Sequence, residues 1–196
     1  MTQQRALRTR AALLTGAATE FARHGYAASS VIRILENTAS TKGAMYFHFS
    51  SKREMADAVL DTAAAGYGGV AERWMTSDGT RPLDALRGLV DDTARAFIDD
   101  VSLRAEARLA VEPELNTGRT LAVWNATALH LAKEAVAAGD FHEGFATDKF
   151  LRLLTASLAG HRLTAHLAVD VDIRSGYAEA LEAILAAATM KDVSQI

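Results

Sequence analysis

Twelve residues, "TKGAMYFHFSSK" (41–52), place hydroxyls, two lysines, a glycine and a Tyr-Phe-His-Phe run in close succession. These groups can grip a polyanion. Lysines, hydroxyls and phenols hold phosphate, and a short side chain or a bare glycine lets backbone approach a base edge. Phe47 and Phe49 are expected in a core. Tyr46 and His48, alternating with them, are then expected to face outward beside Lys42 and Lys52. The charge distribution agrees. Residues 1–53 carry eight lysines and arginines against two acids, Glu20 and Glu36, whereas the rest of the chain carries 13 against 22. A basic head on an acidic body implies that only the head meets a polyanion.

Constellations for catalysis do not assemble. Asp91-Asp92 and Asp99-Asp100 each point to different helix faces, and "GYGG" (66–69) lacks the strand and lysine of a phosphate loop. Cysteine is absent, which excludes disulfides, thiolate zinc sites and cysteine nucleophiles and makes the cytoplasm the expected compartment. His161 and His166 have no clustered acids at ligand spacing, so neither metal nor cofactor is expected. No apolar run reaches the roughly 18 residues of a membrane span, and no membrane partner is expected.

The elements that must position these residues are helical throughout. The chain is rich in alanine and has only two prolines, and its apolar spacings follow a helical period. Residues 6–24 place Leu7, Leu14, Ala17, Ala18 and Phe21 on one stripe that stops at Gly25. Ser29 or Ser30 caps the short "VIRILENT" helix, with Val31, Ile34 and Leu35 facing inward. "ASTKG" turns the chain, and Ser40 or Thr41 caps a second short helix that runs through His48. Ser51 and Glu54 form a capping box for the next helix. Longer helices are expected at 83–99, 102–111, 119–138, 147–167 and 174–189. Two short helices joined by a tight turn read as a helix-turn-helix, because neither is stable without the first helix to pack on.

"GYAASSVIRILENTASTKGAMYFHFSSKREM" resembles the DNA-binding head of the TetR family of bacterial repressors, over about residues 8–60. Two positions depart from it. The family commonly carries Gly-Val in the turn where this chain has Ala39-Ser40, and an alanine forced to positive φ there would cost about 1 kcal/mol. An acidic residue is also common where Arg33 stands. The resemblance implies that Thr41 and Lys42 approach base edges, and that Gly43 and Ala44 allow close approach. Ser30, Tyr46, His48 and Lys52 would bind phosphate, Arg33 would belong to the same DNA-binding set, and Arg5, Arg8 and Arg10 would form a flexible basic arm.

In the body, "FIDDVSLRAEARLAVE" (97–112) followed by Trp124 resembles the γ-butyrolactone receptor subgroup, which commonly has a glycine where Glu106 stands. The resemblance implies a small-molecule effector of lactone or furan type. Leu86, Val90, Trp124, Phe150, Leu154 and Ser157 are expected to bind it, with Ser157 as the polar anchor. A repressor of this kind reads its operator as a homodimer. Leu151, Leu158, Arg162 and Ala165, with Tyr177, Leu181, Ile184 and Leu185, are expected to form its four-helix interface. The chain thus reads as all-α, with a helix-turn-helix DNA-binding domain at 1–50 and a ligand-binding and dimerisation domain at 51–196. Its expected partners are double-stranded operator DNA, a small effector and a second copy. The alternatives are a regulator or pseudo-receptor with an unrelated ligand, and an all-helical enzyme.

Overall fold

A computed structural model describes residues 2–76, 79–115, 118–141, 145–167 and 171–189. Among the described residues every regular element is an α-helix, in the order α1 (Thr2–His24), α2 (Val31–Asn37), α3 (Lys42–His48), α4 (Lys52–Met75), α5 (Pro82–Asp99), α6 (Val101–Leu109), α7 (Ala122–Ala137), α8 (Thr147–Leu167) and α9 (Ile173–Thr189). Parts of the loops expected between the later helices lie outside the described residues. The chain divides into two compact units, residues 1–66 with 99–120, and residues 67–98 with 121–196. This differs from the division at residue 50 read from the sequence, because α6 packs along α1 and joins the first unit.

The first unit is built on α1. Leu13, Ala17, Ala18 and Phe21 are fully buried against Ile34, Leu35, Met45, Phe49, Val59, Ala105 and Leu109. Each large side chain buried this way contributes roughly 1.5–3 kcal/mol. Leu7, expected on this stripe, is 62% exposed, and Leu13 takes its place. Gly25 ends α1 at φ +71, with its N–H donating to Phe21 O at 2.8 Å. The Glu112 carboxylate, from the chain after α6, accepts from Tyr26 N at 2.9 Å and so fixes the loop that follows α1. Gly16 is a contact point with α2, since a Cβ there would meet Thr38 Cγ2 at 2.3 Å.

The α2 helix closes in a Schellman motif. Ser40 N donates to Leu35 O at 3.0 Å and Ala39 N to Glu36 O at 3.3 Å. The motif needs a left-handed residue, and Ala39 supplies it at φ 48. The end of α7 uses the same hydrogen bonds, Asp140 N to Ala135 O and Gly139 N to Val136 O, but with a glycine at φ 79. The Thr41 hydroxyl caps α3, accepting from Ala44 N at 3.1 Å. The cap of α4 forms as expected at Ser51, whose Oγ accepts from Glu54 N, while the Glu54 carboxylate reaches back to Ser50 N rather than to Ser51.

In the second unit α5 buries Ala85, Leu86, Leu89, Val90, Ala94 and Phe97. The Trp74 ring packs against α5 at Gly88, where a Cβ would come within 2.1 Å of it, and the indole donates to Asp92 at 3.0 Å. The α8 helix packs against α7 and α9. Phe141, Phe145 and Phe150 cluster where α7 leads into α8, the first two stacked at 4.4 Å. Two exposed ion pairs tie α9 to α5, Arg87 to Glu182 at 2.7 Å and Arg174 to Asp91 at 2.5 Å.

Candidate functional site

Within the first unit, α3 divides sharply. Met45 and Phe49, one turn apart, are buried, whereas Thr41, Lys42, Gly43, Tyr46 and Phe47 are exposed. Phe47 was expected in the core and is 76% exposed. The alternation assumed for "YFHF" is a strand period. On a helix, residue 47 lies opposite the face shared by 45 and 49. Its ring meets His48 edge-on at 4.9 Å. Gly43 has no conformational or steric duty inside the chain: its φ is not positive, and an added Cβ would meet only Thr41 Oγ1, at 3.8 Å. A glycine here weakens the helix without relieving any internal contact.

The basic residues divide into two kinds. Arg5, Arg8 and Arg10 are exposed and belong to α1, a regular helix rather than the flexible arm expected. Arg5 and Arg8 border a groove shared with Thr41 and Ala44, so α1 and the start of α3 present one surface. Arg10 lies 5.0 Å from the Phe49 ring centroid.

Arg33 and Lys52 instead hold the head together. Arg33 donates from Nε to Glu20 at 2.8 Å and from Nη2 to Ala28 O at 2.8 Å. Lys52 donates to Tyr26 O at 2.7 Å and Ser29 O at 3.2 Å, over the Tyr26 ring. Arg33, expected at the DNA-binding surface, has a structural role as well, because Glu20 is buried at 2% exposure and needs a cation, while the Arg33 side chain itself stays 45% exposed. Burial pushes the Glu20 carboxyl up, but the hydrogen bonds from Arg33 and Ser30 N–H outweigh it and hold its pKa below the ordinary 4.5. Ser30, the cap of α2, is bound by that same carboxylate at 2.8 Å.

The second unit contains a cleft lined by Tyr67, Thr93, Leu121, Trp124, Thr155, Leu158, Arg162 and Tyr177. Its cavity volume is only about 10 Å³, about the room one water molecule needs. Trp124 is 2% exposed and lines the cleft as expected. Its indole N–H donates to Thr93 Oγ1 at 2.8 Å, and that hydroxyl donates in turn to Leu89 O at 2.6 Å. Arg162 donates to the Tyr67 hydroxyl at 2.7 Å.

Of the other residues expected to bind an effector, Leu86, Val90, Phe150 and Leu154 are buried in the body's packing, and Ser157 is half-buried. None of these five lines the cleft. Leu158, Arg162 and Tyr177, expected at a dimer interface, are among its lining residues. They are buried, as are Leu181 and Leu185, so these five already have intrachain neighbours. Leu151, Ala165 and Ile184 are only partly buried. The buried stripe of α8 runs Phe150, Leu154, Leu158, Arg162, at strict intervals of four, and so crosses both faces drawn from the sequence. Thr93 and Tyr67 were missed; the indole's need for a buried partner was the available signal for Thr93.

Residues 13–59 match the family model described as "Bacterial regulatory proteins, tetR family". The A-factor receptor protein of Streptomyces griseus is 33% identical over 113 residues, 56% of this chain and 37% of that protein. The curated relatives that match are aligned over between 37% and 57% of their own lengths. The structure of CprB from S. coelicolor A3(2), a TetR family protein, superposes with a TM-score of 0.81 at 27% identity, covering 97% of this chain and 92% of that one. A gamma-butyrolactone receptor structure, an ArpA-like protein, superposes with a TM-score of 0.68 at 28% identity, covering 93% and 99%. Among the described residues no helix is long and apolar enough to cross a membrane. Residues 13–59 thus carry the DNA-binding sequence of the TetR family of bacterial regulatory proteins, and the chain has the fold of TetR-family structures, a gamma-butyrolactone receptor among them.

Proposed function

We propose that the chain is a cytoplasmic, ligand-responsive transcriptional repressor. Two copies bind a pseudo-palindromic operator, and a small, largely apolar effector of γ-butyrolactone or furan type releases them. Residues 1–50 read DNA, and residues 51–196 bind the effector and pair the copies. The observation that carries this reading is the outer face of α3, where Thr41, Lys42, Gly43 and Tyr46 stand exposed on a helix whose other face is fully packed. Its relatives support it: a receptor for A-factor, a gamma-butyrolactone receptor, and CprB, whose structure is known in complex with its operator.

The dimer face is revised. With the earlier candidates largely buried, the exposed stripe of α8, Leu153, Ala156, Gly160, Thr164 and Leu167, is the face left for a second copy. Because the cleft has room for little more than a water molecule, an effector must widen it. It can lower operator affinity only by as much as it prefers the widened form. The test is an operator titration of the purified chain with and without alkyl lactones. Release at saturating lactone is the expected result. Operator affinity that no lactone or furan alters would leave a TetR-type DNA binder with a different signal.

A further inference from the structure

We infer that Phe47 is a specificity-determining residue for DNA, and that its ring reads the 5-methyl group of a thymine in the major groove. This rests on the reading of α3 as the helix that enters DNA. Met45 is 1% exposed and fixes which side of α3 faces the core. At 3.6 residues per turn, Gly43 and Phe47 lie about 160° and 200° around from it, so the two flank the outermost line of the helix. Phe47 is 76% exposed, more than Tyr46 at 62%. Its ring and that of His48 stand nearly perpendicular, 4.9 Å apart between centroids. Gly43, one turn back, carries no side chain, and a Cβ added there would meet nothing nearer than Thr41 Oγ1 at 3.8 Å, so the space beside the ring is open.

A phenyl ring offers DNA neither a donor nor an acceptor. It cannot hold phosphate as the neighbouring Lys42 can, nor tell the polar edges of bases apart. What is left to it in a major groove is apolar contact, and the apolar group that sets a base pair apart there is the thymine methyl. The surroundings suit a nucleic acid rather than an apolar protein partner. No acidic residue lies on α3. Lys42 and Tyr46 are exposed on the same helix, and Arg5 and Arg8 border a groove with Thr41 and Ala44. An apolar ring set in a basic, polar face is covered by a polyanion that carries apolar groups of its own, and a thymine-bearing duplex is one.

The test uses the full chain and a duplex that it selects from a random library, with salt held fixed. Each thymine of the selected half-site is replaced in turn by deoxyuridine, which removes the methyl and keeps every hydrogen-bonding edge. One position should lose about fourfold in affinity for one half-site and about fifteenfold for both, the worth of one buried methyl group in each. In Phe47→Ala that penalty should vanish, with circular dichroism unchanged because a side chain this exposed supports no core packing. Phe47→Leu should keep part of it. A penalty that survives in Phe47→Ala overturns the inference, and if Ala44→Gly then abolishes it, the methyl belongs to Ala44. The absence of a penalty at every thymine in the parent chain overturns it as well, since the ring then packs on sugar and phosphate or touches nothing. A chain that selects no duplex loses the reading of α3 together with the inference, whereas selection in which Phe47 plays no part removes the inference alone.

Discussion

Replacing Ala39 by glycine should make the head more stable. Ala39 is the left-handed residue of the α2 Schellman motif, held at φ 48 by the hydrogen bonds to Leu35 O and Glu36 O. An alanine there costs roughly 1–2 kcal/mol through the clash of its Cβ with the carbonyl that follows. Glycine avoids that clash but loses more backbone freedom on folding, about 0.5–1 kcal/mol. Ala39 is exposed, so removing its methyl forfeits no buried surface. The net expectation is a gain of roughly 0.5–1 kcal/mol, or about 1–4 °C in Tm for a chain of this size. Urea unfolding should show a higher midpoint with an unchanged slope. The matched control is Ala11→Gly, an exposed site inside α1, which should lose about 1 kcal/mol by helix propensity. A loss at residue 39 like the loss at residue 11, or no change, would refute the argument from backbone strain.

Three further outcomes are expected. Gly43→Ala should weaken operator binding while raising the stability of the head by up to about 1 kcal/mol, since helix propensity favours it and only Thr41 Oγ1 lies near the new methyl; gel shift and thermal melting read the two effects separately. Lys42→Ala should cost about 1–3 kcal/mol of operator affinity with unchanged circular dichroism, whereas Arg33→Met should act chiefly on stability. In acid, the Glu20 contribution to stability is present above the ordinary glutamate pKa and is lost as pH falls through its lower folded value. Glu20→Gln should therefore be less stable at neutral pH and show a flatter acid limb in pH-dependent unfolding.

Helix order and most helix ends were legible because caps and stop signals are local. Ser30, Thr41 and Ser51 cap where their sequence positions predict, and Gly25 stops α1. The positive φ at Ala39 was legible for the same reason. The outward face of α3 was half legible: Tyr46 emerged, but Phe47 did not, because four consecutive bulky residues hide the helical period. Arg33 and Lys52 could not be assigned from charge alone, since their partners, Glu20 and the carbonyls of Tyr26 and Ser29, are set by how α1 meets α2 and α4. In the body, Trp124 stood out by its type. Arg162 did not, because a buried arginine on a helix face looks like any surface arginine until the phenol of Tyr67 is brought beside it.

The two ion pairs between α5 and α9 leave part of the body's packing open to screening by dissolved salt. Arg87–Glu182 and Arg174–Asp91 are partly exposed, so dissolved salt screens them. They clasp the helix that carries Tyr177 to the helix that carries Thr93, two walls of the cleft. Concentrated electrolyte should therefore ease the widening that an effector requires. The same electrolyte weakens the hold of a basic head on phosphate. On the function proposed above, both responses push toward the DNA-free form, so less effector should suffice for half-release as the ionic strength of the surroundings rises.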